Sequence, residues 1–265
     1  MQIYVIPELN NLDASVSFSK CNALGWEFND FMQPDVLGDQ KETQRIIGQY
    51  RECEMPRFRS IHGAFMDILP HSYDVKIRSV AYERIGQSLA VANSLRCDRI
   101  VFHTNLVHNF ISKSYIDNWL EKNAEYWMST AGKNPDITIL MENMFDMTPD
   151  AIAALAERMN GVSNFGVCLD YAHSIIFGKA DKSGELFVRT LAPYVRHIHL
   201  NDCDLIHDLH LAVGDGQIDW DEFAELYGNY LSGVPILIEV NGIENQKRSL
   251  DYLSERMTRH GIAIG

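Results

Sequence analysis

Short runs of β-branched, leucine and aromatic residues recur along the chain, each bounded by turn residues and followed by a longer amphipathic stretch. The runs are IYVI (3–6), GWEF (25–28), SIHGAF (60–65), RIVFH (99–103), ITILMEN (137–143), FGVCLD (165–170), VRHIHLN (195–201) and PILIEV (235–240). Each is dense in apolar residues rather than alternating, as expected of a strand buried on both faces. GWEF carries the weakest strand signal of the set. Residues 75–96 place apolar side chains at three-to-four spacing between charges and predict a helix. Thr148-Pro149-Asp150 predicts an N-cap with proline in the first turn. Asp219 with Glu222 predicts a capping-box variant, and Ser114 with Asp117 a similar helix start.

Strand and helix alternate eight times with no Ser/Gly-rich linker, charge block or low-complexity tract between them. That rhythm predicts an α/β fold, a single (β/α)8 TIM barrel spanning 1–265 as one domain. A doubly wound open sheet is the competing arrangement, but no Gly-x-Gly-x-x-Gly follows any strand.

Composition narrows the setting. The 265 residues are 46% hydrophobic, enough for a sizeable core. The opening MQIYVI reads as a strand rather than a signal peptide, and no run is long and apolar enough to cross a bilayer. The five cysteines are scattered, odd in number and never at Cys-x-x-Cys spacing, which predicts a reducing cytoplasmic setting without a zinc ribbon. A formal net charge of −13 disfavours a polyphosphate partner at long range.

In a barrel of this kind the working face lies at the carboxyl ends of the strands. Imidazoles and carboxylates gather there: His62, His103, Glu142, Asp170, His199 and Glu239 on six different strands, with His173, Asp208 and His210 just beyond. Any one of these residues could simply cap the following helix, but six strands in succession ending that way is a poor fit to chance. Carboxylates sharing a pocket repel unless they protonate or share a cation. Mixed His and carboxylate donors suit zinc, manganese, cobalt or iron better than calcium. His197 is expected to face away from His199 and His207 to lie in an open loop. His71, His108 and His260 are read as surface or supporting groups. No nucleophile-elbow motif supports a serine triad.

The segments IHGAF (61–65), VFH (101–103), MEN (141–143), LDYAH (169–173), HIHLND (197–202), DLHLAVGDGQID (208–219) and LIEV (237–240) resemble the xylose-isomerase-like TIM-barrel superfamily across nearly the whole chain. One branch comprises sugar and sugar-phosphate isomerases and epimerases. There the resemblance implies that Glu142, Asp170, His199 and Glu239 hold one divalent metal (Mn, Zn, Co or Mg). It further implies that Glu142 and Glu239 act as a catalytic acid/base pair through a metal-chelated cis-enediolate, with His173 orienting a small sugar or polyol substrate. A dehydratase acting on a polyol would use the same ligands.

The other branch comprises apurinic-site endonucleases. There the resemblance implies that His62, His103, His173, Asp208 and His210 join the first four residues to bind up to three zinc ions for phosphodiester hydrolysis. Two departures bear on the choice between the branches. His210 stands where several ketose 3-epimerases carry a substrate-binding arginine, which points away from ketohexoses. The loop 29–40 holds three aspartates and no base, and loop 66–78 offers only Leu69 and Tyr73 as wedges for a nucleic acid. Barrels of this family also pair through helical faces, so a homo-oligomer is open.

Overall fold

The structure, a computed structural model, describes residues 1–107, 110 and 112–263; His108 lies outside them. Eight parallel strands close on themselves in sequence order, from β1 (Ile3–Val5) through β2 (Gly25–Phe28), β3 (Arg59–His62), β4 (Arg99–His103), β5 (Thr138–Glu142), β6 (Phe165–Asp170) and β7 (Val195–Leu200) to β8 (Ile236–Ile238). Pairing of Ile3 with Ile236 and Val5 with Ile238 completes the ring and rules out the open sheet. The fold is therefore a single (β/α)8 barrel.

Helices fill every connection. They are α1 (Leu12–Cys21), α2 (Pro34–Gly38), α3 (Gln40–Glu52), α4 (Val75–Leu95), α5 (Lys113–Lys133), α6 (Asp150–Arg158), α7 (Tyr171–Ile176), α8 (Ser183–Leu191), α9 (Trp220–Leu226) and α10 (Ile243–Arg259). Among the described residues no helix is long and apolar enough to cross a membrane.

Alternation along the strands divides the side chains between two environments. Trp26, Phe28, Ile61, Ile100, Phe102, Ile139, Met141, Val167, Leu169, Ile198 and Leu200 join the continuous core shared with the helices. Val101, Leu140 and Cys168 form a separate small cluster. These three alternate with the outward set and plug the barrel interior. His103, Glu142 and Asp170 continue the same inward alternation, two residues further along β4, β5 and β6. They rise from a dry apolar layer toward the carboxyl ends.

Two predicted helix starts need correction. Thr148 does not cap α6: Pro149 holds the N-cap position with no side-chain bond, and Thr148 Oγ1 instead donates to the Asp150 carboxylate at 3.0 Å. Ser114 lies inside the first turn of α5, behind Ser112, because the helix begins two residues earlier than the Ser/Asp spacing suggests. Asp219 does cap α9, accepting the N–H groups of Asp221 and Glu222. β3 also ends at His62 rather than Phe65, although Gly63 N–H still donates to the Val101 carbonyl at 2.8 Å. A Cβ at Gly63 would stand 2.3 Å from the Phe102 ring, so only glycine lets the chain turn there.

Candidate metal centre

Register delivers the donors to one level. His103 pairs with Glu142 across β4 and β5, and Asp170 with His199 across β6 and β7. Glu239 sits one residue past β8, with its N–H donating to the Leu200 carbonyl at 2.9 Å, so the ladder still holds it. Glu142, Asp170, His199 and Glu239 bring one donor atom each within 4.8 Å of one another, all buried. Nδ1 of His199 lies 3.4 Å from Glu142 Oε1 and 3.2 Å from Glu239 Oε2.

Two further groups adjoin this one. Nε2 of His62 and Nε2 of His103 are 3.2 Å apart and lie 3.6 and 3.4 Å from Glu142 Oε2. His173, Asp208 and His210 form the other, with Asp208 Oδ2 3.4 Å from His173 Nε2 and Asp208 Oδ1 3.3 Å from His210 Nε2. His173 Nδ1 is 3.6 Å from both Glu142 and Asp170, which links that group to the first. The fold thus brings together all nine residues singled out in the sequence.

The tautomers are informative. Nδ1 of His62, His173 and His210 each lies 3.0 Å from a main-chain carbonyl oxygen, that of Gly63, Asn143 and Glu239 respectively. A carbonyl only accepts, so each Nδ1 carries the proton and donates it. Each Nε2 then presents a lone pair toward a carboxylate or another imidazole. Acceptor facing acceptor is repulsive unless a proton or a cation stands between. His199 Nδ1, Glu142 Oε2 and Glu239 Oε2 are likewise buried without a hydrogen-bond partner. These atoms fit a divalent metal: oxygen and imidazole donors, oriented by carbonyls behind them and otherwise unsatisfied.

Charge follows the same arrangement. Burial works to raise the Glu142 carboxyl, but the His199 and His103 imidazoles hold it well below the usual range. Glu239 is also lowered, with burial opposed by His199. Burial pushes Asp170 up to about 7, helped by Glu142 and Glu239 and resisted by His173. Burial lowers His173 and His210, yet their carboxylate neighbours lift both to about 10. Without a cation, protons held on His173, His199 and His210 offset part of the carboxylate charge.

Supporting contacts fix the carboxylates. Asn143 clamps β6, its amide donating to the Asp170 carbonyl at 2.9 Å while its side-chain oxygen accepts the Asp170 N–H at 3.0 Å. Asp170 Oδ1 accepts the His173 N–H at 2.6 Å.

His197 does not face away from His199. Residues two apart on a strand share a face, and both imidazoles point into the barrel, where each lies 3.1 Å from the Glu27 carboxylate. Glu27 was not singled out from the sequence. Its one signal is a lone carboxylate inside an otherwise apolar strand, and that strand had the weakest pattern. His71 is buried rather than at the surface, against Asn123 and the Trp119 ring. His207 is exposed and pairs with Asp204 at 2.8 Å, and His260 is exposed beside Asp221. Of the two candidate wedges, Tyr73 is exposed and Leu69 half-buried. All five cysteines are free.

Comparison with known proteins agrees with the fold. The chain is 24% identical over 203 residues to the uncharacterized protein MJ1311 of Methanocaldococcus jannaschii, covering 74% of this chain and 68% of that one. Its backbone is similar to that of the TTHB071 protein from Thermus thermophilus, solved after soaking with ZnCl2, with a TM-score of 0.77, 23% identity and coverage of 98% and 99%. A D-tagatose 3-epimerase-like protein matches with a TM-score of 0.75, 22% identity and 98% coverage of both chains. The profile of the xylose isomerase-like TIM barrel family matches residues 23–256, and the chain belongs to that family.

Proposed function

We propose that this chain is a divalent-metal-dependent isomerase or epimerase acting on a small sugar, sugar phosphate or related polyol. The observation that carries this reading is the placement of Glu142 and Glu239 on either partner contact of His199 Nδ1, at 3.4 and 3.2 Å, from strands three apart in the ring. Two ionised glutamates beside one ligand set are the parts needed to remove a proton from carbon and return it. When bound, a divalent cation supplies Lewis-acid polarisation of a carbonyl and its neighbouring hydroxyl. Glu142, Asp170, His199 and Glu239 would hold it. Glu239 is the more accessible glutamate, at 8% exposure against 1% for Glu142, and suits the proton-transfer role facing the mouth. His173 and His210 then face the part of the substrate that projects outward.

One observation favours a second reading, hydrolysis of a phosphodiester by up to three zinc ions. Nine donors form three adjoining groups that share or touch Glu142, more than one ion can use. The net charge of −13 weighs against a nucleic acid at the mouth and keeps this reading second.

Two measurements test the choice. Elemental analysis of the purified protein counts the ions. Proton exchange in heavy water, followed by NMR over a panel of keto- and aldo-sugars, looks for deuterium entering beside the carbonyl. Exchange that disappears in Glu239→Gln supports the sugar reading. Three zinc ions, no exchange with any sugar and cleavage of abasic duplex DNA would overturn it.

A further inference from the structure

His199 meets the centre differently from three of its neighbours. His62, His173 and His210 hold Nδ1 against main-chain carbonyls and turn Nε2 inward. His199 turns Nδ1 inward and carries Nε2 the other way, deeper into the barrel. An imidazole that ligates through one nitrogen keeps its proton on the other, and that proton needs an acceptor. Among the described residues no main-chain carbonyl serves His199 Nε2.

What lies there is Glu27. Its Oε1 is 3.1 Å from His199 Nε2, close but off the hydrogen-bond axis. Imidazole χ2 is a soft torsion, so a small ring rotation aligns the two. Its Oε2 accepts the Ser60 hydroxyl at 2.7 Å and lies 3.1 Å from His197 Nε2. The His197 ring is itself packed edge-on against Tyr4 with centroids 5.3 Å apart. Glu27 is wholly buried. A carboxylate taken out of water is costly unless well paired. The apolar layer of Val101, Leu140 and Cys168 shows that aliphatic and thiol groups fill this depth elsewhere.

We propose that Glu27 is a positioning residue for the metal centre. It takes the Nε2 proton of His199, fixes that ring with the Nδ1 lone pair directed into the space between the Glu142 and Glu239 carboxylates, and makes Nδ1 a stronger donor. Ser60 and His197 hold the carboxylate in place for this task. Glu27 touches neither substrate nor metal. The inference rests on Glu142, Asp170, His199 and Glu239 being metal ligands, but not on which reaction they serve.

Metal affinity tests it without an assay of turnover. Parent and Glu27→Gln proteins, stripped by chelator, are titrated with Zn2+ against a chromophoric chelator and with Co2+ followed by its visible absorption. The expected result is a loss of Zn2+ affinity of about 10- to 100-fold and an altered Co2+ spectrum, with the far-UV circular dichroism unchanged. A purely structural role would lower the melting temperature but leave affinity and spectrum alone. Zn2+ affinity within about threefold of the parent overturns the proposal. If Glu27→Gln does not fold, Glu27→Asp keeps the buried charge while drawing it back from Nε2, and the same criterion applies. A parent protein that binds neither ion removes the metal-centre reading itself, a failure distinct from a parent that binds and a variant that binds equally well.

Discussion

The carboxylate of Asp202 accepts the indole N–H of Trp220 at 2.8 Å, eighteen residues further along the chain. The same oxygen accepts the Gly214 N–H at 2.9 Å, while the other takes the N–H groups of Cys203 and Ile218 at 2.9 and 3.2 Å. Asp202 also forms an antiparallel bridge with Leu211. A Cβ at Gly216 would come within 2.3 Å of Asp202 Oδ1, so the loop closes tightly over the carboxylate. Asp202 is therefore spent on the loop between β7 and α9, which carries Asp208 and His210, and has no lone pair left for a metal.

Removing that anchor should loosen the loop and strand several buried N–H donors. Asp202→Ala is expected to destabilise the protein by about 2–5 kcal/mol and to weaken any ion held by His173, Asp208 and His210. Thermal melting and elemental analysis read the two effects. A melting temperature equal to the parent's would show that the four contacts do not carry the loop.

The asymmetry around Glu142 gives a sharper outcome. Its Oε2 faces His62 and His103, and its Oε1 faces His199 and His173. Glu239 contacts only the His199 side of the centre through its carboxylate. Glu142→Gln should then lose metal from both neighbouring groups and abolish turnover. Glu239→Gln should weaken only the group built on His199. Ion counts on the two variants decide this, and equal losses would mean that Glu142 does not join the groups.

Much of this was legible before any coordinates, for a physical reason. Strands buried on both faces leave dense apolar runs, and the barrel's carboxyl ends collect polar residues that have no place in such runs. His62, His103, Glu142 and Asp170 close their strands, His199 stands one residue short of the end of its own, and all five were readable on that ground. The part played by Asp202 was not visible in the sequence, because three of its four partners lie 12 to 18 residues on and depend on how a loop folds back. Glu27 was hidden for the opposite reason. It sits inside a four-residue strand whose signal comes from Trp26 and Phe28, and the two imidazoles it meets are 170 or more residues away. His197 was misplaced by a counting matter alone: with a period of two it must share the face of His199.

Metal binding should depend steeply on pH. In the absence of a cation, burial disfavours the charged form of His173 and His210, but Asp170 and Asp208 lift both to about 10, with Glu142 adding to the first and Glu239 to the second. His199 is raised well above its ordinary value by Cys168, Glu142 and Glu27 against the same burial. An incoming divalent ion must expel these protons. Affinity should accordingly fall as pH falls from about 8 to about 6, with net proton release on binding. Isothermal titration of Zn2+ in two buffers of different ionisation enthalpy measures the proton count. A pH-independent constant with no release would mean that the imidazoles are not ligands.

His71 supplies a titration clear of the metal centre. The ring is 5% exposed, packed near Tyr115 and Trp119 with Asn123 3.4 Å from Nδ1, and burial alone pushes its pKa down to about 4. In the unfolded chain the same imidazole titrates near its ordinary value of about 6.5. Above that pH neither state is charged, and the group costs nothing. Below it the unfolded chain gains a proton that the folded protein refuses, so stability is lost as pH falls toward the folded value. The span corresponds to about 3 kcal/mol. His71→Gln removes this dependence. Urea unfolding of parent and variant at about pH 7 and about pH 4.5 should show the parent losing more stability on acidification by most of that amount. Equal losses in the two proteins would mean that the folded ring accepts a proton as readily as the free one.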